Sequence, residues 1–140
     1  MSLVKELQEE AKGITVLYAE DEDGVRASMK KILLKFFDGV YDAPNGAEAL
    51  ELYKEHKDEV QFLLTDISMP KMNGLELTEN IRKIDQNFLV MIASAHNDNA
   101  NFLKAVELGV EFFLVKPINN AQLVETLLRI CKRIKGKDEE

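Results

Sequence analysis

The chain has 140 residues, enough for one continuous core and too few for two good ones, so it reads as a single domain. Its hydrophobic fraction of 46% and charged fraction of 31% suit a water-soluble globular protein; no apolar run could cross a bilayer and no secretory leader opens it, which points to the cytoplasm. The formal net charge of -7 argues against a nucleic-acid footprint, and one cysteine, Cys131, excludes an internal disulfide and makes a thiolate metal site an unfavoured reading.

Residues 1–13 read as an N-terminal arm or linker remnant. Leu3, Val4 and Leu7 on one side of residues 3–12 suit either a short amphipathic lead-in helix or a disordered segment. Ile14 to Ala19 is a β-rich apolar run that stops at Glu20-Asp21-Glu22-Asp23, a strand running into an acidic turn. Val25, Met29, Ile32, Leu33 and Phe36 recur at helical spacing until Asp38-Gly39. Val40 to Ala43 form a second strand, and Pro44-Asn45-Gly46 turn the chain into a helix carrying Ala49, Leu50 and Tyr53.

Val60 to Leu64 begin a third strand that ends at Asp66, where Met69-Pro70 and Asn73-Gly74 break regular structure. Leu77, Ile81 and Ile84 mark the third helix, and Phe88 to Ala93 a fourth strand that delivers Ser94 to its carboxyl end. Residues 97–108 are expected to form a helix with Phe102, Ala105 and Val106 inward and Gly109 as its C-terminal cap. Phe112 to Val115 make the fifth strand, closed by Lys116-Pro117. Asn119 and Gln122 match a capping box for a last helix bearing Leu123, Leu127, Ile130 and Ile134, with Cys131 packed on its apolar stripe. The closing residues 136–140 read as a charged tail or the start of a linker, a reading that fits a whole protein and an excised domain equally.

Five strands alternating with five helices imply an α/β fold: a doubly wound parallel sheet with right-handed crossovers and helices on both faces. In such sheets ligands gather at the carboxyl edge, beside the switch in winding direction. Glu20 and Asp21 follow the first strand, Asp66 the third, Ser94 the fourth and Lys116 the fifth. Three carboxylates in one crevice repel and raise one another's pKa unless a cation sits among them. Oxygen donors without histidine or thiolate favour Mg2+, with Mn2+ as the alternative, over zinc. Lys116 can meet an anionic oxygen and the Ser94 hydroxyl can donate to one. The set describes phosphoryl transfer with Asp66 as acceptor.

The acidic pair Glu20-Asp21, Asp66 before Met69-Pro70 and Gly74, Ser94 before Ala95, and Lys116-Pro117, taken in this order, resemble the receiver domain of two-component response regulators. The match runs from about Ile14 to Ile134, within a domain taken as 14–135. The resemblance implies a flavodoxin-like sheet of order 2-1-3-4-5 and a phosphoryl group accepted from a histidine kinase or histidine phosphotransfer protein. It implies Mg2+ held by Asp21, Asp66 and the backbone carbonyl of Ser68, with Glu20 reaching the metal through water. It assigns phosphate-contacting and switch roles to Ser94, Ala95, Lys116 and Phe113, and tuning of dephosphorylation to Ser68 and His96. Lys116-Pro117 is the candidate for a cis peptide bond. The output is expected to be altered affinity for a downstream effector domain or protein, with dimerisation through the face of the fourth helix, fifth strand and fifth helix. Many members carry Asp at the Glu20 position and Tyr at the Phe113 position, so the aromatic here lacks a hydroxyl.

Plainer readings stand beside these. Glu20 to Asp23 suit a helix N-terminus through the dipole alone, Asp66 could cap its own loop, Ser94 could satisfy a neighbouring amide and Phe113 could be core. A dehalogenase-type phosphatase would want a second acid two residues after its nucleophile, where Ser68 stands. A flavin phosphate would be repelled by the acids at 20–23. A receiver that binds partners without phosphorylation is the fourth reading, disfavoured by the complete acid set.

Overall fold

The structure is a computed structural model that describes residues 2–95 and 97–137. Its elements in chain order are α1 (Leu3–Glu10), β1 (Thr15–Ala19), α2 (Asp23–Leu34), β2 (Gly39–Ala43), α3 (Gly46–His56), β3 (Val60–Asp66), α4 (Gly74–Ile84), β4 (Leu89–Ala95), α5 (Asn99–Glu107), β5 (Phe112–Lys116) and α6 (Asn120–Ile134). The strands are all parallel and ordered β2-β1-β3-β4-β5, the flavodoxin-like order expected.

Strand parity sorts the core into two layers. Val16, Tyr18, Phe62, Leu64, Met91, Phe112 and Leu114 meet the apolar stripes of α1, α2 and α6 on one face. Leu17, Leu63, Val90 and Ile92 meet those of α3, α4 and α5 on the other. Because β1, β3 and β4 lie inside the sheet and are covered twice, they read as unbroken apolar runs rather than alternating ones.

Among the described residues six helices flank the sheet rather than five. The additional one, α1, begins at an N-cap in which the Ser2 hydroxyl accepts from the Lys5 amide at 3.2 Å. The helix and its C-cap bury Leu7 and Ala11 completely, and it is tied to α6 by Glu6–Lys132 at 2.8 Å and to the chain beyond α6 by Glu10–Lys137 at 3.1 Å. Leu3 and Val4, expected beside Leu7, are about half exposed instead, so one leucine and one alanine carry the docking.

α5 departs in the same way. Only Ala105 of the three expected inward residues is buried, whereas Phe102 and Val106 lie 44% and 47% exposed and leave an apolar helix face uncovered. Gly109 does follow the helix in the left-handed region at φ 85°, its amide donating to Val106 O at 2.9 Å, the conformation that favours glycine there.

The expected capping box on α6 is half formed. The Asn119 side chain accepts from the Gln122 amide at 2.7 Å, but the Gln122 carboxamide reaches the backbone N–H and C=O of Val115 instead of returning to Asn119. β5 is an edge strand, and Gln122 satisfies groups no neighbouring strand could. A complete box forms on α4, where Asn73 and Glu76 each accept from the other's amide. β4 runs through Ser94 to Ala95 rather than ending at Ala93. Among the described residues no helix is long and apolar enough to cross a membrane.

Candidate functional site

Tyr18, Leu64 and Leu114 face α2 and α6, so two residues further along each strand direction Glu20, Asp66 and Lys116 emerge on the same side of the same edge. Parity therefore delivers two acids and a lysine together. Asp21 follows Glu20 at the head of the turn into α2, and one carboxylate oxygen from each of Glu20, Asp21 and Asp66 lies within 4.8 Å of the others. Lys116 Nζ donates to Asp66 Oδ2 at 2.7 Å, and the Ile67 amide donates to Asp66 Oδ1 at 2.7 Å. The Lys116-Pro117 peptide bond is cis.

Glu20 is the buried member, only 4% exposed, and Asp21 is exposed. Burial raises the Glu20 pKa above the usual carboxylate range; the Glu22 amide, donating at 3.1 Å, and Lys116 oppose the rise, while Asp66 and Asp21 add to it. Burial alone would lower the Lys116 pKa, but its hydrogen bond and ion pair with Asp66, with Glu20 and Glu22 nearby, carry it upward. Tyr18, lying under the acids, is also raised, first by burial and then by Glu20 and Asp66. Three oxygen donors at one edge, one of them a carboxylate held against its own desolvation, fit a hard divalent cation. No histidine or cysteine joins the cluster among the described residues, which does not suit zinc.

Ser94 and Phe113 have the opposite parity and lie toward α4 and α5. Ser94 is 9% exposed, one residue past Ala93, the register partner of Asp66. Ala95 is exposed and pairs in register with Lys116. Phe113 is half-buried, its ring 4.8 Å from that of Phe102 on α5. Ser68 is exposed in the loop after β3. His96 falls outside the described residues.

Two residues that sequence reasoning passed over, Arg26 and Thr65, support the site, together with Gly74 of the motif. The Arg26 guanidinium donates to Glu20 O at 2.8 Å and pairs with Asp23 and Asp42, holding the acidic turn against α2. Its signal was there to read as the first cation after four acids at helical spacing. Thr65 Oγ1 donates to Asp66 O at 2.8 Å. Gly74 is needed for space: a Cβ there would sit 2.2 Å from Asp66 O. A groove of about 420 Å³ opens beside Glu20 and Lys116, lined by Val25, Met29, Ile32, Pro117 and Ile118.

The family model described as response regulator receiver domain matches residues 16–128, leaving α1 outside it. Chemotaxis protein CheY of Thermotoga maritima is 36% identical over 121 residues, spanning 86% of this chain and 99% of that protein. Among solved structures, the N-terminal domain of an uncharacterized protein from Wolinella succinogenes superimposes with a TM-score of 0.78 at 35% identity, covering 87% of this chain and 96% of that one. A chain of the CheX–CheY–BeF3–Mg2+ complex from Borrelia burgdorferi gives a TM-score of 0.76 at 27% identity, covering 84% and 88%.

Proposed function

The chain belongs to the response regulator receiver domain family, and from that premise we propose that it is a phosphoacceptor switch of a two-component phosphorelay. Asp66 takes a phosphoryl group from a histidine kinase or histidine phosphotransfer protein in the cytoplasm. The observation that carries this reading is Lys116 Nζ at 2.7 Å from Asp66 Oδ2 with Glu20 and Asp21 gathered around the same carboxylate. A solvated lysine and a loop-capping aspartate would have no reason to share an edge with two further acids.

In the transfer one carboxylate oxygen of Asp66 forms the new O–P bond while the P–N bond of a phosphohistidine breaks, its electron pair returning to the imidazole ring. The Ile67 amide orients the carboxylate. Lys116, released from its ion pair as Asp66 loses charge to phosphorus, follows the phosphoryl oxygens. Glu20, Asp21, Asp66 and the Ser68 carbonyl would hold Mg2+ or Mn2+, which supplies positive charge against the phosphoryl oxygens when bound.

Ser94 and the Ala95 backbone meet those oxygens from β4, and Phe113 responds on the α5 side of the sheet. The face of α5, β5 and α6, with Phe102, Leu103, Val106 and Val115 exposed, then changes its affinity for an effector or for a second copy. The groove lined by Val25 and Ile118 offers a donor protein a seat beside Glu20 and Lys116. The chain acts as a signalling switch, catalysing only its own phosphorylation and dephosphorylation. Mass spectrometry after treatment with acetyl phosphate and Mg2+ tests this: one phosphoryl group should be gained by the wild type and none by Asp66→Asn. Equal modification of both would overturn the assignment.

A further inference from the structure

Residues 67–73 lead from Asp66 to α4 without regular structure, yet the segment has one defined course. Lys71 turns in the left-handed region at φ 69°, a conformation that costs a side-chain-bearing residue energy and needs outside support. Two backbone hydrogen bonds within the segment close it locally, Met72 N to Pro70 O at 2.7 Å and Gly74 N to Ile67 O at 2.8 Å. The support from elsewhere comes from the first residue of α3, whose Gly46 amide donates to Met72 O at 3.0 Å.

That contact leaves no room for a side chain. A Cβ on Gly46 would stand 2.3 Å from Met72 O and 2.9 Å from both Met72 C and Cβ, an obstruction that is mostly backbone and cannot rotate away. The Met72 side chain packs into the core layer beneath α3 and α4, and its sulfur lies 3.9 Å from the Asn80 amide nitrogen on α4. Asn45, almost fully buried, caps α3 by accepting from the Glu48 amide at 2.8 Å, so the helix end presented to the loop is itself held.

We infer that Gly46 is a positioning residue for the acidic site, acting through Met72 to set the course of the segment that joins Asp66 and Ser68 to α4. The inference rests on the reading of Glu20, Asp21 and Asp66 as a divalent cation site. Gly46 touches none of these acids. Its effect on them is indirect, as when the partners of metal ligands govern affinity by fixing ligand orientation.

The test is calorimetric titration of the whole chain with Mg2+ alone. Gly46→Ala should raise the dissociation constant by about tenfold, the scale at which supporting contacts of metal sites act. Leu7→Ala lowers stability on the opposite core layer without touching the segment, and should stay within about twofold of wild type, as expected for independent sites. In the wild-type protein the Gly46 amide resonance should shift along the same titration with the calorimetric midpoint, a readout that stands even if Gly46→Ala does not fold. Wild-type affinity in Gly46→Ala, an unmoved Gly46 resonance, or an equal loss in Leu7→Ala would overturn the inference and leave the acidic site in place. Absence of saturable Mg2+ binding in the wild type, or binding unchanged in Asp66→Asn, would remove the site and the inference with it.

Discussion

Glu20 is a carboxylate withdrawn from water beside two others, and its raised pKa is a statement about stability. A carboxyl group whose pKa is raised by folding leaves the folded state unpenalised below its unfolded value and penalises it progressively as the pH climbs toward the raised one. The penalty thus grows from about pH 4.5, the ordinary glutamate value, and is complete above the folded one. Glu20→Gln, measured without divalent cations, should melt a few degrees above wild type at neutral pH, and the gap should close as the pH falls toward 4.5. A gap independent of pH would remove the charge from the explanation. Gly74→Ala acts sterically, since the new Cβ meets the Asp66 carbonyl at 2.2 Å. It should cost more than about 2 kcal/mol in urea denaturation, the range in which overpacking against fixed backbone falls.

At the scale of elements, α1 is eight residues long and far too short to be helical by itself, so its helix exists because Leu7 and Ala11 dock against α6 and the sheet. Leu7→Ala should cost about 2–5 kcal/mol in chemical denaturation, as for other fully buried leucines. The same layer contains Cys131, whose thiol burial pushes up to about 12, so it should resist thiol reagents at pH 8 in the folded protein. Leu7→Ala should speed its labelling about tenfold for each ~1.4 kcal/mol of stability lost, measured by mass spectrometry over time. Labelling of the wild type at the rate of a free thiol would show that this layer opens without global unfolding. α5 is the opposite case, a helix anchored by Ala105 with Phe102, Leu103 and Val106 left at the surface.

For the whole molecule, the crevice at the carboxyl edge assembles only when β1, β3 and β5 are in register, so a ligand of that edge must stabilise the entire fold. Mg2+ at one hundred times its dissociation constant should add about 2.7 kcal/mol to unfolding, and Asp66→Asn should lose most of this gain. An equal gain in both would place the ion elsewhere. The alternation of apolar runs with helical spacing was enough to read the parallel sheet, its five strands, and the ends at which Glu20, Asp66, Ser94 and Lys116 stand. Each of those features depends on residues close together in the chain. The docking of α1, the outward turn of Phe102 and Val106, the diversion of Gln122 to β5, and the contacts of Arg26 and Gly46 with the site were decided by the tertiary structure. They depend on which surfaces distant segments leave open to one another, and local periodicity carries no record of that.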